Sequence, residues 1–501
     1  MFIVKGRFRS KPGLSLALHD AVSGVILING VRKPGNKMAA SPALTRRQLL
    51  EVPCGYLAGS AMSRFAAASE SGKIQRPGKA KSVILLYLHG GAPTQDMFDM
   101  KPSGPVESRG EFNPIATNVP GIEICEFLPK MARWMDKAAV LRAVHHKAGC
   151  HNEIPSFSGY ESPSGMQELN DQHLPPSMGS ICEFLKPANN RLPAYVSLPN
   201  PLGYYGETGP GPGFLGHRYS PLLTSAQPEF DPGVNQKDRP NPVMVRGIPK
   251  IADSRLIDGM TSQRLKSRQM LLGQLDSNSV RQATEAAKFD QFHQWGFDVL
   301  ASHQLQSCFD PAQFDQSVKE RYGNTLFGNS AFIATKLVAQ GVQFVNVIWT
   351  WYYQLIAGLQ DYGWDTHEHN FSILRRYLPQ VDLVYSSLME DLERSGLLDQ
   401  TLVVLTSDFG RTPNVNATAG RDHWMHCYST VLAGAGIRGG TVYGSSDKQA
   451  AWPIDGPVRP ADICATIFDC LGIDPETLIF DRLNRPHKIA QGGEPIRAVL
   501  A

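Results

Sequence analysis

The stretch Lys81-Ser82-Val83-Ile84-Leu85-Leu86-Tyr87-Leu88 is apolar throughout after its first two residues, and it stops abruptly at His89-Gly90-Gly91. An uninterrupted apolar run of this length is typical of a strand that is buried on both faces of a sheet. Paired glycines directly after such a strand let the backbone approach a ligand closely. We therefore expect a central strand that ends at a functional loop.

Similar apolar runs recur along the chain and alternate with segments of helical periodicity. The runs cover residues 138–144, 194–198, 344–349, 401–406 and 429–433. The helical patterns cover residues 257–303, 315–340, 371–395 and 460–471. This alternation predicts an α/β fold in which helices cover both faces of a mostly parallel central sheet. In such sheets ligands bind outside the carboxyl ends of the strands, so the loops that follow them are where we expect the chemistry.

Composition indicates a globular protein and selects no charged partner. The chain has 501 residues and 42% apolar content, which is enough for a sizeable core. Its formal net charge of +3 gives no argument for binding nucleic acid or an anionic membrane surface. The eight cysteines are scattered, without a Cys-x-x-Cys motif. We expect mostly buried thiols, with one or two disulfides as the alternative in an exported protein.

Residues 1–75 form an N-terminal extension that we interpret as an export signal. The first 37 residues are basic and interrupted by Gly and Pro, and we expect Met38 to be the true start. After it, Arg46-Arg47 precedes a weakly apolar stretch that ends in Ala66-Ala67-Ala68, which resembles a twin-arginine signal. Acidic and proline interruptions leave an ordinary amphipathic helix as the alternative. From this signal we expect a periplasmic or secreted protein. No later window has the ~18 consecutive apolar residues of a membrane span, so we expect no transmembrane segment after the leader.

Residues 81–501 form the predicted single domain, and residues 199–247 within it are predicted to be a long irregular insertion. The insertion is rich in Pro and Gly and has few periodic apolar residues. Loops of that length inside a compact domain are usually functional or disordered. Its aromatic residues favour an ordered lid or a substrate wall. They are Tyr204, Tyr205, Phe214 and Tyr219.

Carboxylates and imidazoles are concentrated in three short stretches of the chain. These are Gly363-Trp364-Asp365-Thr366-His367-Glu368-His369, Ser407-Asp408-Phe409-Gly410-Arg411 and Gly420-Arg421-Asp422-His423-Trp424. Carboxylate oxygen together with neutral imidazole nitrogen suits zinc, and an Asp-rich site also admits manganese, magnesium or calcium. We expect a divalent metal site whose ion the sequence does not identify.

Asp365, Asp408 and His423 are central to this prediction. Asp408 follows an apolar run and should project from the carboxyl end of a strand, although a strand-end Asp is often a helix cap. Asp365 shares a face with His369 if the segment is helical and with His367 if it is extended. A cap with an exposed His is the alternative for Asp365, and a structural role is the alternative for His423.

Two further loops carry candidate catalytic groups. Thr94, in the loop after the first strand, offers a hydroxyl that can act as a nucleophile, and helix capping is an equal alternative. His145, His146 and His151 follow the run 138–144, which places them at the carboxyl edge of the sheet if that strand is parallel. We expect one or two of these imidazoles to be ligands or proton donors, and the sequence does not decide which.

On these motifs the chain is identified as a member of the DUF1501 family, which is related to the alkaline phosphatase and sulfatase superfamily. The resemblance runs from Lys81 to Asp474. It rests on residues 88–91 with 96–102, 145–159, 363–367, 408–413 and 419–424. It implies an alkaline phosphatase-like fold and a two-metal hydrolase of phosphate or sulfate esters. The motifs are specific to the family and much less specific to a reaction.

The resemblance also implies roles for individual residues. Asp365 with His369, and His423, match the ligands of one metal in the superfamily. Asp408 matches the Asp of an Asp-His dipeptide at the other metal. Three of these residues, Asp365, Asp408 and His423, were already indicated by the Asp- and His-rich stretches.

Two departures from the superfamily pattern argue against the second metal. Phe409 stands where the His of the dipeptide is expected, and the first strand ends in His89 where the superfamily has a metal-binding Asp. No cysteine has a Pro two residues later and an Arg two residues beyond that, so the chain lacks the signature of a sulfatase that uses formylglycine.

The leading hypothesis is an exported, metal-dependent hydrolase of phosphate or sulfate esters that acts on small molecules or glycans. The predicted metal ligands are Asp365, His367 or His369, Asp408 and His423. The predicted catalytic residues are Thr94 as the nucleophile, with Arg411 or His145 stabilising the developing negative charge. The alternative is a catalytically degenerate exported binding protein for sulfated or phosphorylated glycans, which the two departures favour.

Overall fold

In the part of the chain that the structure describes, nine strands form one central sheet. The computed structural model describes residues 78–149, 151–161, 173–186, 192–199, 211–227, 229, 240, 242, 244–251, 264, 267, 270–271, 302–349 and 363–501. The strands are β1 (Ser82–Leu88), β2 (Ala138–Val144), β3 (Tyr195–Leu198), β4 (Leu222–Ser225), β5 (Lys250–Ile251), β6 (Phe344–Trp349), β7 (Thr401–Ser407), β8 (Tyr428–Gly434) and β9 (Thr441–Tyr443). Their order across the sheet is β9-β2-β8-β7-β1-β6-β3-β4-β5.

β1 lies in the middle of the sheet because its side chains are apolar on both faces. All seven of its residues are buried, and it pairs in parallel with β6 on one side and β7 on the other. Among the described strands, β5 and β8 are the two that run antiparallel to their neighbours. The predicted α/β fold with a mostly parallel sheet is confirmed. Each of the predicted apolar runs agrees with a strand to within one residue at either end.

Helices cover both faces of the sheet, as the alternation predicted. They are α1 (Ile154–Ser158), α2 (Met178–Leu185), α3 (His303–Ser307), α4 (Gln316–Tyr322), α5 (Leu326–Ala339), α6 (Asn370–Arg394) and α7 (Pro460–Cys470). Even-numbered residues of β1 share one apolar core with α5 and α6. Its odd-numbered residues share the opposite core with α1, α2 and α7. The sheet therefore separates two cores, as expected for a strand that is apolar on both faces.

Short two-stranded ribbons and 3-10 turns connect these elements. The ribbons pair Pro114–Ala116 with Glu123–Cys125, Gly410–Arg411 with His423–Trp424, Ser445–Ser446 with Pro453–Asp455, and Leu478–Phe480 with Pro486–Lys488. The 3-10 turns are Thr94–Asp96, Met131–Lys137, Gly213–Leu215, His217–Tyr219, Pro311–Gln313, Leu398–Gln400 and Arg497–Val499. The second ribbon is functionally relevant, because it joins two of the three stretches that are rich in Asp and His.

The start of α6 fixes the third of these stretches. His369 precedes the helix with a φ of 54°, in the left-handed region. Its backbone N–H donates to Thr418 O at 3.0 Å, and the N–H of Asn370 donates to Ala419 O at 2.9 Å. The end of the segment that contains Asp365 is thereby bound to the loop that leads to His423.

Part of the predicted irregular insertion is a regular strand. β4 pairs in parallel with β3, with Val196 opposite Leu222. Of its aromatic residues, Phe214 is buried and Tyr219 packs against Phe184 with ring centroids 5.1 Å apart, whereas Tyr204 and Tyr205 lie outside the described residues.

Several sequence predictions concern parts of the chain that the structure does not describe. The N-terminal extension with Met38 and the twin-arginine pattern, and almost all of the helical pattern at 257–303, lie outside the described residues. Within the described part, none of the helices has the length and apolar character needed to cross a bilayer.

Candidate metal centre

Loops that follow parallel strands converge at the carboxyl edge of the sheet. His89 directly follows β1, Asp408 directly follows β7, His151 comes after β2 and Asp365 comes after β6. Because parallel strands end at the same edge, residues that are far apart in sequence come together there. The sequence prediction of a site at this edge therefore agrees with where these four side chains lie.

His151 is the residue that joins the cluster. Its Nδ1 lies 2.7 Å from Asp408 Oδ2, and its Nε2 lies 3.4 Å from Asp365 Oδ2. Two overlapping triads each bring their ligand atoms within 4.8 Å of one another: His89, His151 and Asp408, and His151, Asp365 and His423. One imidazole between two carboxylates thus links both groups of donors.

Asp365, His367 and His423 form a tight triangle on one side of His151. The Nε2 atoms of His367 and His423 are 2.9 Å apart, and they lie 3.0 Å and 3.1 Å from Asp365 Oδ1. Asp422 Oδ1 accepts a hydrogen bond from His367 Nδ1 at 2.6 Å. A carboxylate on one ring nitrogen fixes the tautomer and directs the other nitrogen into the site, as is usual for metal-binding histidines.

The geometry of residues 363–369 explains which histidine meets Asp365. The segment is non-helical until Asn370. Two tight turns follow one another here, in which Thr366 N–H donates to Trp364 O and His367 N–H donates to Asp365 O. His367 rather than His369 lies beside Asp365. The contacts that the described structure gives for His369 are made by its backbone. Of the two pairings that the sequence left open, the structure has Asp365 with His367, in a segment that is neither helical nor an extended strand.

Arg411 neutralises the Asp365 side of the cluster. Its side chain is fully buried and contacts Asp365 Oδ1. It also donates to Gly91 O at 3.1 Å, to Arg421 O at 3.0 Å and to Gly90 O. These bonds fix the guanidinium to the loop after β1, so that Arg411 positions Asp365 rather than facing solvent.

Asp408 is held from three directions. Gly90 N donates to its Oδ1 at 3.1 Å, and Ser407 Oγ donates to the same atom at 2.9 Å. The backbone oxygen of Asp408 lies 2.7 Å from His146 Nε2. The two hydrogen bonds to Oδ1 orient the carboxylate. Its other oxygen, Oδ2, is directed toward His151 and the rest of the donor cluster.

Burial and hydrogen bonds have opposite effects on the pKa values of Asp365 and Asp408. Burial raises the pKa of Asp365, but hydrogen bonds from His151, His367 and His423 outweigh it and hold the pKa well below the usual range. Burial likewise raises the pKa of Asp408, and the contact with His151 more than reverses this. Both carboxylates are therefore ionised at neutral pH.

The imidazoles respond in different ways. Burial lowers the pKa of His151, yet its hydrogen bonds to Asp365 and Asp408 leave the pKa above its ordinary value. The hydrogen bond to Asp365 is the main cause that raises the pKa of His367. Burial lowers the pKa of His423. Metal binding would therefore require loss of protons from the imidazoles only, because both carboxylates are already ionised.

A buried pair supports the cluster beneath His151. His89 Nε2 lies 3.1 Å from Glu153 Oε1. Burial raises the pKa of Glu153 to about 8 and lowers the pKa of His89 to about 4. At neutral pH both groups are therefore neutral, and a neutral imidazole is the form of His that binds a metal.

Three predicted residues are not part of this cluster. The hydroxyl of Thr94 is hydrogen-bonded to Ser429 Oγ at 2.5 Å, and Thr94 is only 1% exposed. His145 is half-buried, and burial lowers its pKa; the charges that act on it are those of Glu161, Asp462, Arg459 and Lys147. His369 was described above. Asp365, His367, Asp408, Arg411 and His423 are the predicted residues that the structure brings together.

His89, His151 and Glu153 are site residues that the sequence-based selection of individual residues missed. His151 belonged to a group of three histidines after β2, and nothing in local spacing distinguished it from His145. His89 was interpreted only as a departure from the superfamily pattern. Its position directly after a buried strand was the signal that could have identified it.

The donor set fits a divalent ion. Two donors at about 2.1 Å from a tetrahedral ion lie about 3.4 Å apart. The separation of 3.4 Å between His151 and Asp365 matches that spacing. The separation of 2.9 Å between His367 and His423 is nearer the about 3.0 Å between neighbouring donors of an octahedral ion. Imidazole nitrogen and carboxylate oxygen are ligands that zinc and manganese accept.

A model of one protein family matches residues 80–500, which is most of the chain. The chain belongs to the DUF1501 family. This family is described as proteins of unknown function, so membership of DUF1501 confirms the sequence-based identification without assigning an activity. No curated protein matches the chain.

Solved structures that are similar to this chain include a sulfatase and a phosphonate monoester hydrolase. A sulfatase from Pseudoalteromonas sp. is 13% identical, over 84% of this chain and 72% of its own, with a TM-score of 0.36. A phosphonate monoester hydrolase from Silicibacter pomeroyi is 12% identical, over 83% and 76%, with a TM-score of 0.31. The lipoteichoic acid synthase LtaP from Listeria monocytogenes is 11% identical, over 84% and 78%, with a TM-score of 0.35. Likeness at this level carries no argument about the function of this chain.

Proposed function

We propose that this protein is a metal-dependent hydrolase of phosphate or sulfate esters. The observation that carries the proposal is the convergence of His151, Asp365, Asp408 and His423 at the carboxyl edge of the sheet. Two ionised carboxylates and several imidazoles this close together suit a divalent ion, which balances their charge in place of protons on the imidazoles.

The ligands that we assign to the ion are Asp365, His367 and His423, together with the Nε2 side of His151. Asp408 and His89 form the second group of donors on the Nδ1 side of His151. A divalent ion supplies Lewis-acid activation of an ester oxygen and of water. His367, whose side chain is 42% exposed, is the member of the cluster that a substrate reaches most easily.

Arg411 has a positioning role in this proposal. The sequence suggested that it stabilises negative charge on the substrate, but its guanidinium is fully buried and bonded to Asp365 and to carbonyl oxygens. It holds the carboxylate and the loop after β1 in place. His145 faces a different set of charges, so it has no part in the chemistry that we propose.

Water is the nucleophile that the geometry favours over Thr94. A nucleophilic side chain must reach the substrate, and Thr94 is buried with its hydroxyl bonded to Ser429. Thr94→Val removes the hydroxyl and keeps the side-chain shape. We expect this variant to retain turnover, and a loss of several orders of magnitude with the fold intact would restore Thr94 as the nucleophile.

The proposal is tested with aryl phosphate, phosphonate and sulfate esters as substrates, with zinc, manganese, magnesium or calcium added in turn. Asp408→Asn should abolish turnover without unfolding the protein, because it removes one charge and keeps the side-chain volume. The matched control is Asp399→Asn, an exposed carboxylate before β7. Full activity in Asp408→Asn would refute the assignment.

Burial at the site favours a second candidate function, a non-catalytic binding protein for sulfated or phosphorylated glycans. Thr94, Asp408 and Arg411 are all buried, and the ring of Phe409 packs against His151 and His423. Wild-type protein that binds metal but hydrolyses none of the esters would support this candidate. Export is part of both candidates and rests on the N-terminal extension, outside the described residues.

A further inference from the structure

Two indole rings and an imidazole form a partly exposed aromatic surface, which we define as Trp424, His426 and Trp452. The rings of His426 and Trp452 stack with centroids 4.4 Å apart and planes at 23°. Trp424 meets both rings nearly edge-on, with centroids 4.8 Å from His426 and 5.3 Å from Trp452. Trp452 is 49% exposed, although Trp is on average a highly buried residue. An exposed group of rings of this kind indicates a binding surface.

The aromatic surface is held rigidly by the loop that carries Trp452. Trp424 Nε1 donates to Ala451 O at 2.7 Å. Asp447 Oδ1 accepts from the backbone N–H of Gln449 at 3.1 Å and of Ala451 at 2.8 Å. The backbone N–H of Asp447 donates to Trp452 O at 2.9 Å. A ring that is already fixed loses little conformational freedom when a ligand binds.

Among the described residues, the ring contacts of Trp452 are with His426, which stacks on its indole, and with Trp424. About half of the Trp452 side chain is exposed and can meet a ligand. The surface comprises three rings. This is far smaller than the roughly 800 Å² per partner of a stable protein interface.

A flat apolar face with polar surroundings suits a sugar ring. Pyranose rings present several C–H groups on one face and carry their hydroxyls around the rim. An indole packs against the C–H face, while its N–H and neighbouring polar groups remain available to hydroxyls and water.

The aromatic surface adjoins the candidate metal centre. Trp424 directly follows His423 in the ribbon strand that pairs with Gly410–Arg411. The backbone oxygen of Met425 accepts from His146 N at 3.0 Å, and His146 in turn contacts Asp408. The two-residue strand His423–Trp424 therefore contributes one residue to the metal centre and one to the aromatic surface.

We propose that the aromatic surface binds a sugar ring of a glycan whose phosphate or sulfate ester lies at the metal centre. The inference rests on the proposed function for the ester chemistry, whereas the sugar contact is testable by itself. Trp452 is the residue that provides the stacking face. Trp424 and His426 position it.

The test is native gel electrophoresis of the full-length protein through gels that contain dextran sulfate, heparin, chondroitin sulfate or unsulfated dextran. Retardation relative to a gel without polysaccharide gives an apparent dissociation constant. Trp452→Ala should weaken that constant by about tenfold or more, since exposed Trp residues at binding sites make large contributions. Trp452→Phe should recover part of the loss, because it retains an aromatic face. Ile454→Ala is the matched control, an exposed apolar residue in the same ribbon.

Retardation by a polysaccharide that Trp452→Ala abolishes and Ile454→Ala preserves would support the inference. Retardation that is equal in all variants would overturn it, and so would the absence of retardation in every gel. The metal content of the same samples separates this result from the proposed function. Retardation without bound metal would leave the sugar contact valid and refute the hydrolase, whereas bound metal without retardation would refute the sugar contact alone.

Discussion

Arg421 and Asp96 form a bidentate ion pair in which both side chains are fully buried. Arg421 Nε lies 2.8 Å from Asp96 Oδ2, and its Nη2 lies 3.0 Å from Oδ1. Asn370 Nδ2 also donates to Asp96 Oδ2 at 2.9 Å. The pair therefore joins the turn after β1, the start of α6 and the loop that carries His423. It fixes three of the segments from which the candidate metal centre is built.

Breaking this pair should destabilise the protein strongly. Arg421→Met leaves the Asp96 carboxylate buried without its cation, which typically costs about 3–5 kcal/mol of unfolding free energy. Arg421 also donates to the carbonyl oxygens of Thr412 and Ser108, which lose a partner as well. Urea denaturation measures the loss. Arg438→Met, at an exposed position, is the control and should change stability by about 0.5 kcal/mol or less. A loss below about 1 kcal/mol in Arg421→Met would contradict this account.

Gly90 should not tolerate a side chain, because a Cβ at this position would clash with the backbone of the Asp365 segment. Its φ is +124°, and a Cβ there would lie 2.5 Å from Asp365 N and 2.7 Å from Trp364 C. Gly90→Ala must therefore displace the backbone of the Asp365 segment and weaken metal binding. Gly121→Ala is the matched control, since its φ is +83° and no atom lies within 4 Å.

The two glycine variants distinguish the effect of backbone strain from the effect of displacing the Asp365 segment. Gly121→Ala should cost about 1–3 kcal/mol through backbone strain and leave metal affinity unchanged. Gly90→Ala should cost more and also lower the affinity for zinc, measured by competition with a chromogenic chelator. Equal zinc affinity in the two variants would show that Gly90 does not set the position of Asp365.

The cysteine thiols that the structure describes should be unreactive in the folded protein. All of them are buried: Cys125, Cys182, Cys308, Cys427, Cys464 and Cys470. Burial raises the pKa of Cys182 from 9.0 to about 12. At pH 8 the fraction of reactive thiolate at Cys182 is then about a thousandfold lower than in the unfolded chain. Iodoacetamide labelling followed by peptide mass spectrometry should modify these residues only after urea is added.

The same raised pKa values predict how stability depends on alkaline pH. A group with a raised folded pKa contributes stability that is present below its unfolded pKa and is lost as pH rises toward the folded value. For Cys182 that window runs from pH 9 to about 12. We expect stability to fall across this range, and Cys182→Ala to reduce the fall. Rapid labelling of native Cys182 at pH 8 would be inconsistent with both expectations.

The central strands were predictable because each is buried on both faces and reads as an apolar run. β1, β6 and β7 agree with their predicted bounds almost residue for residue. β4 was not predicted, since four residues that alternate between buried and exposed give little signal inside a segment rich in Pro and Gly. Its place in the sheet comes from pairing with β3, which no local pattern specifies.

Site residues were predictable where Asp and His are clustered in the sequence. They were not predictable where a role depends on contacts with residues far away in the sequence. Asp365, Asp408 and His423 stand out because carboxylates and imidazoles are concentrated around them. His151 does not, since its role depends on contacts with residues more than two hundred positions away. His369 was favoured over His367 by the superfamily spacing, which the non-helical backbone before Asn370 does not support.

Elemental analysis by mass spectrometry, of protein purified without chelator and then reconstituted, tests the metal centre most directly. The comparison is between wild type, Asp365→Asn with Asp408→Asn, and the exposed control Asp399→Asn. Near-ultraviolet circular dichroism establishes that each variant is folded. We predict near-stoichiometric zinc, manganese, magnesium or calcium in wild type and in the control, and its loss in the double variant. No bound metal in wild type after reconstitution, or the same content in the double variant, would contradict the assignment of this cluster as a metal site.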